Sequence, residues 1–146
     1  MRNPFLRTAM IATIAYFVVG RVPILHGVLG WIVLIGAPFL LIRNNPALDT
    51  MSSPLGYVVG MGALVGAIAN EVGTVLGILF NLVVASIGAA SSTLGGGVAA
   101  LGAGVGITFQ LVHLLYGPFV GAVLGLIGGL IAGSMWPKSP QNGVSL

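Results

Sequence analysis

Gly117-Pro118-Phe119-Val120-Gly121-Ala122-Val123-Leu124-Gly125-Leu126-Ile127-Gly128-Gly129-Leu130-Ile131-Ala132-Gly133 places a glycine at every fourth position: Gly117, Gly121, Gly125, Gly129 and Gly133. At 3.6 residues per turn, that spacing draws these positions into one nearly straight row on a helix, a groove without side chains. Each such glycine costs a helix in water of order 1 kcal/mol relative to alanine. Packing has to compensate. Within lipid no hydrophobic drive brings helices together, so close backbone approach and dispersion contacts supply the association. The stretch therefore predicts a membrane helix held tightly against another helix. The groove either packs inside one bundle or faces a second subunit.

The rest of the chain agrees. Of 146 residues, five are Lys or Arg and two are Asp or Glu, while 57% are apolar and 24 are glycine. A soluble domain carries about 25% charged residues. Mean hydropathy is +1.11, and no charge interrupts the 66 residues from Val72 to Pro137. A water-soluble globule cannot be covered with so few charges, which excludes a soluble enzyme or a nucleic-acid binder. The pI near 10 rests on a net charge of +3 and describes no basic patch. Without cysteine there are no disulfides, thiolate metal sites or cysteine nucleophiles, and the redox compartment stays open.

Two polar, turn-forming stretches, Arg43 to Pro54 and Ser91 to Gly97, divide one integral membrane domain (1–146) into apolar blocks of about 4–42, 55–90 and 98–136. A polar tail, 137–146, follows. A helix of about 38 residues would be roughly 57 Å long, nearly twice the hydrocarbon thickness of about 30 Å. Each block is therefore expected to fold back at a breaker near its middle: Arg21-Val22-Pro23, Asn70-Glu71 and Gly117-Pro118. The expected fold is all-α, a polytopic transmembrane helical bundle of three helical hairpins with glycine-zipper packing. It has six membrane segments, or four or five where a block stays bent or re-entrant. With the N-terminus in the cytoplasm, six crossings put Arg2, Arg7, Arg43 and Lys138 inside and Arg21 outside, in keeping with the positive-inside rule. Both termini are then cytoplasmic. Arg2 and Arg7 before the uncharged run Thr8–Gly20 outline a signal sequence, but no A-x-A-like site precedes Arg21, so the segment reads as a retained helix.

A second small-residue row, Gly88, Ser92, Gly96, Ala100 and Gly104, is interrupted by the turn near 91–97. Shorter pairs occur at Gly56/Gly60, Gly62/Gly66 and Gly73/Gly77. Glu71 is the one carboxylate inside an apolar block. At mid-membrane it would be a proton or cation ligand; at an interfacial turn its charge would cost little. Asn70, Thr74, Gly77 and Asn81 fall at i, i+4, i+7 and i+11, giving one polar-to-small face. Gln110 and His113 share a face with Ala103, Gly106 and Gly117, a setting for an interhelical hydrogen bond. Asn70, Glu71, Thr74, Asn81, Gln110 and His113 together form the candidate polar pathway. His26 is the only other imidazole, so a metal or haem site would need it to converge with His113, and neither metal nor cofactor is expected. Arg21 and His26 flank Pro23 as an interfacial turn with headgroup contacts. There is no well-placed Ser/His/Asp set, no H-E-x-x-H and no P-loop. The Gly102-Ala103-Gly104-Val105-Gly106 string lacks the strand and acidic residue that nucleotide binding requires.

The run Ala100-Leu101-Gly102-Ala103-Gly104-Val105-Gly106-Ile107 resembles the glycine-rich first helix of proteolipid rotor subunits. Those need an ion-binding carboxylate in the following helix, and 119–136 has none. The segment from Ile87-Gly88-Ala89 to Leu115-Tyr116-Gly117-Pro118-Phe119-Val120-Gly121-Ala122-Val123-Leu124-Gly125 resembles the C-terminal half of a domain-of-unknown-function family. Its members are small bacterial and archaeal glycine-zipper membrane proteins. The family's Gly-Pro-Phe-Leu-Gly-Ala motif is matched by Gly117–Ala122, while Ala90 and Ser91 stand where its basic pair is expected. The resemblance implies a polytopic bundle and no activity.

The functional expectation is a non-catalytic structural or assembly subunit, either a component of a membrane complex or a membrane-embedded virion protein. Its partners would be the bilayer and further copies or other membrane subunits, not nucleic acid. The rival reading is a small ion or proton channel or transporter with its pathway near Glu71.

Overall fold

A computed structural model describes residues 3–22, 26–90 and 94–135. Among these, four helices follow one another: α1 (Pro4–Val19), α2 (His26–Arg43), α3 (Pro54–Ala90) and α4 (Leu94–Ser134), with a 3-10 turn at Pro46–Thr50 between α2 and α3. Local chemistry marks the ends. Asn3 caps α1 by accepting a hydrogen bond from the Phe5 amide at 3.0 Å, and Pro4 occupies the first turn, where a missing N–H costs nothing. Pro46 opens the 3-10 turn, and the Thr50 hydroxyl closes it by donating to the Ala47 carbonyl at 2.9 Å.

The first block forms the expected hairpin, α1 with α2. The other two do not fold back. α3 is continuous through Asn70-Glu71 and α4 through Gly117-Pro118, so blocks two and three pair with each other as a single long antiparallel hairpin. The reason is local. Asn70 is 1% exposed, and its side chain bonds across to α4, so a polar residue here requires no turn. Pro118 removes one backbone hydrogen bond, a loss that a helix packed on its neighbours tolerates. The turn expected at Asn70-Glu71 is absent, and Glu71 stands in the middle of α3. The turn near 91–97 is shorter than expected, because α4 already begins at Leu94. Ser91–Thr93, Pro23, Arg2 and the tail with Lys138 lie outside the described residues.

At 1.5 Å per residue α3 and α4 are about 55 and 61 Å long, and α1 and α2 about 24 and 27 Å. α1 runs alongside α3, with Tyr16 against Gly73 and Arg21 against Gly77. α2 returns past Tyr16 at Gly30, then Gly128 of α4 at Ile35 and Gly62 of α3 at Pro38. Ala9, Ala12, Tyr16, Leu34, Ala37, Val65 and Ala69 form the main core. A smaller cluster of Ile42, Leu48, Val58 and Ala132 seats the 3-10 turn. Because α1 ends beside Gly77 and Asn81, the hairpin continues past it. This far part exposes large apolar side chains such as Ile87 at 67% and Leu101 at 73%. α3 and α4 are each long and apolar enough to cross a membrane.

Candidate functional site

The glycine row of α4 lies against α3 of the same chain. A Cβ added at Gly121 would meet the Gly66 carbonyl and the Asn70 Cβ. At Gly125 it would meet Gly62 and Gly66, at Gly129 the backbone of Val58 and Val59, and at Gly133 the Leu55 side chain. Gly117 faces Asn70 and His113. The contacts keep one register, in which Gly62, Gly66 and Asn70 pair with Gly125, Gly121 and Gly117. Farther along the same face, Gly77 meets Gln110, Asn81 meets Gly106, and Gly88 meets Gly96 and Ala100. Gly128, off the row, packs on the backbone of Ile35 in α2. Backbone lies on backbone here.

Within this seam the polar side chains form two linked sets. In the first, the Asn70 amide donates to the Gly117 carbonyl, its Oδ1 sits 3.1 Å from His113 Nε2, and the Thr74 hydroxyl donates to the Asn70 carbonyl at 2.8 Å. The His113 ring also meets Tyr116 edge-on, centroids 4.8 Å apart. In the second set, Asn81 Nδ2 donates to Gln110 Oε1 at 2.9 Å while Asn81 Oδ1 accepts from Arg21 Nη1 at 3.4 Å. The Arg21 guanidinium lies between two rings, 4.7 Å from the Phe17 centroid and 4.6 Å from that of Phe80. Desolvation lowers its pKa from the ordinary guanidinium value, though such a group stays protonated. Its Nε is buried with no hydrogen-bond partner.

A cavity of about 660 Å³ opens between α1, α3 and α4. Thr74, Asn81, Gln110 and His113 line it together with Tyr16, Phe17, Arg21, Phe80, Phe109 and Tyr116. Four of the six candidate pathway residues thus share one cleft. Asn70 is buried beneath it and bonds His113. Glu71 is half-buried and does not line the cleft, and its Oε2 is buried without a hydrogen-bond partner. One residue on from Asn70 means a turn of about 100° around the helix, which takes Glu71 off the face that meets α4. Arg21, expected in an interfacial turn with headgroup contacts, stands just past the end of α1 against Phe17, Phe80 and Asn81. Tyr16, which the sequence did not single out, lines the same cleft. The signal for Arg21 was Phe17 four residues earlier, one helical turn below. Among the described residues no group of three His, Asp or Glu side chains gathers to hold a metal ion. The convergence of His26 with His113 concerns a side chain outside those described. Compared with protein-family models, with curated proteins and with solved structures, the chain matches none.

Proposed function

We propose that this chain is a non-catalytic, multi-pass integral membrane protein serving as a structural or assembly subunit, in a membrane complex or as a membrane-embedded virion protein. The observation that carries the reading is the α3–α4 seam. Glycines there meet glycines and backbone, which turns the large side chains outward, Leu115 to 77% exposure. An exterior of that kind suits lipid or another apolar subunit and not water. On this reading the glycine zipper stiffens the subunit itself, and other subunits meet its outer faces. Four crossings keep the charge bias: both termini, Arg7, Arg43 and Asp49 belong at the cytoplasmic end and Arg21 at the other. The test is extraction and size. The protein should resist alkaline carbonate and run in mild detergent as a defined oligomer. Carbonate extraction, or a strictly monomeric particle in several detergents, would count against it.

The second reading, an ion or proton channel or transporter, is favoured by the cleft that gathers Thr74, Asn81, Gln110 and His113. It requires Glu71 to serve the pathway. Liposomes containing the protein should then conduct protons or cations, and Glu71→Gln should cut the flux about tenfold or more. The subunit reading expects no flux above protein-free liposomes and no effect of the substitution.

A further inference from the structure

Arg21 uses little of its hydrogen-bonding capacity. A guanidinium offers five N–H donors. One reaches Asn81 Oδ1 at 3.4 Å, near the limit for a hydrogen bond, and the buried Nε donates to nothing. Among the described residues neither Asp49 nor Glu71 forms an ion pair with Arg21. Phe17 and Phe80 nevertheless hold the group from two sides, so its orientation is set in advance. A cation fixed among apolar rings, without a counter-charge, attracts an anion more strongly than one in water. Its planar fork fits the paired oxygens of a phosphate.

Depth narrows the source. Arg21 meets α3 at Gly77 and Asn81, 23 and 27 residues beyond Pro54. That is about 35–40 Å along the helix, somewhat more than one hydrocarbon thickness of about 30 Å. Taking the membrane reading above, the end with Arg43 and Asp49 marks one interface and Arg21 stands at the headgroup level of the other. The cleft's 660 Å³ falls within the range of about 300–1,000 Å³ common to small-molecule sites. Phe109 and Tyr116 add apolar wall beside the polar Gln110.

We propose that this cleft binds a phosphate group, supplied in the membrane by an anionic phospholipid whose headgroup seats on Arg21 and Gln110 and whose glycerol and first methylenes lie along the aromatic wall. The inference rests on the membrane reading only for the source of the phosphate. The experiment uses the full chain in detergent, with native mass spectrometry reading the bound adducts. Phosphatidylglycerol, diacylglycerol and sodium phosphate are the probes. Wild type should retain phosphatidylglycerol and not diacylglycerol, and Arg21→Gln should lower retention about tenfold with helix content unchanged. Gly102→Phe should do the same while keeping the arginine, since Gly102 lines the cleft and its Cβ direction is open. Failure of millimolar sodium phosphate to displace the lipid supports the headgroup as occupant; displacement supports the same phosphate site served from solution. Wild-type retention in both variants, or equal retention of diacylglycerol, overturns the proposal. Flotation of the protein with vesicles tests the membrane reading separately, so the two can fail independently.

Discussion

Gly121 and Gly60 differ only in what one added carbon would meet. At Gly121 a Cβ runs into the Gly66 carbonyl and into Asn70 Cβ at 2.8 Å, whereas at Gly60 nothing stands within 4 Å. Gly121→Ala should therefore lower stability by about 1–3 kcal/mol, as overpacking does, and Gly60→Ala should raise it by a few tenths to about 1 kcal/mol through helix propensity. Steric-trap or denaturant unfolding in detergent reads both; equal effects would remove the argument that the seam demands glycine. Asn70→Ala removes the amide from Gly117 and His113 together, and should cost about 1–2 kcal/mol on the scale of interhelical hydrogen bonds in membranes. The fourfold glycine spacing was legible in the sequence because it is a property of one helix. The partners of Asn70 and Arg21 were not. Gly117 lies 47 positions from Asn70, and Asn81 lies 60 from Arg21. Only the packed hairpin brings them together.

Element boundaries follow the polar stretches closely: blocks of about 4–42, 55–90 and 98–136 became helices spanning 4–43 in two pieces, 54–90 and 94–134. Block interiors were harder to read. Arg21-Val22-Pro23, Asn70-Glu71 and Gly117-Pro118 look alike as interruptions, yet only the first interrupts. An Asn-Glu pair or a lone proline ends a helix only if its backbone and side chains find better partners outside, and here the neighbouring helix provides them within. The difference is measurable as a distance. Nitroxides at Leu55 and Ile87, 46% and 67% exposed, should stand about 48 Å apart along a continuous α3. Double electron–electron resonance giving about 15 Å would restore the hairpin.

At the scale of the molecule, seven charges among 146 residues were enough to expect an all-helical chain with helices long and apolar enough to cross a membrane, because composition acts without knowledge of packing. They could not reveal that α1 and α2 are half the length of the pair they flank. In a membrane, as proposed above, that inequality would give the protein two hydrophobic thicknesses. Around α1 and α2 the apolar belt is about 24–27 Å high, while along the outer face of α3 and α4 it approaches about 55–61 Å, more than any tilt of up to 40° could hide in a bilayer of about 30 Å. Lipid beside the short face can remain relaxed, but lipid beside the long face must stretch or leave apolar surface uncovered. On the membrane reading proposed above, each molecule would be a step in membrane height, and two molecules would lower the strain by placing their tall faces together. Fluorescence energy transfer between labelled copies should therefore decrease as the host lipid is lengthened from fourteen to twenty-two carbons. A transfer efficiency indifferent to chain length would mean that the tall face already has another cover.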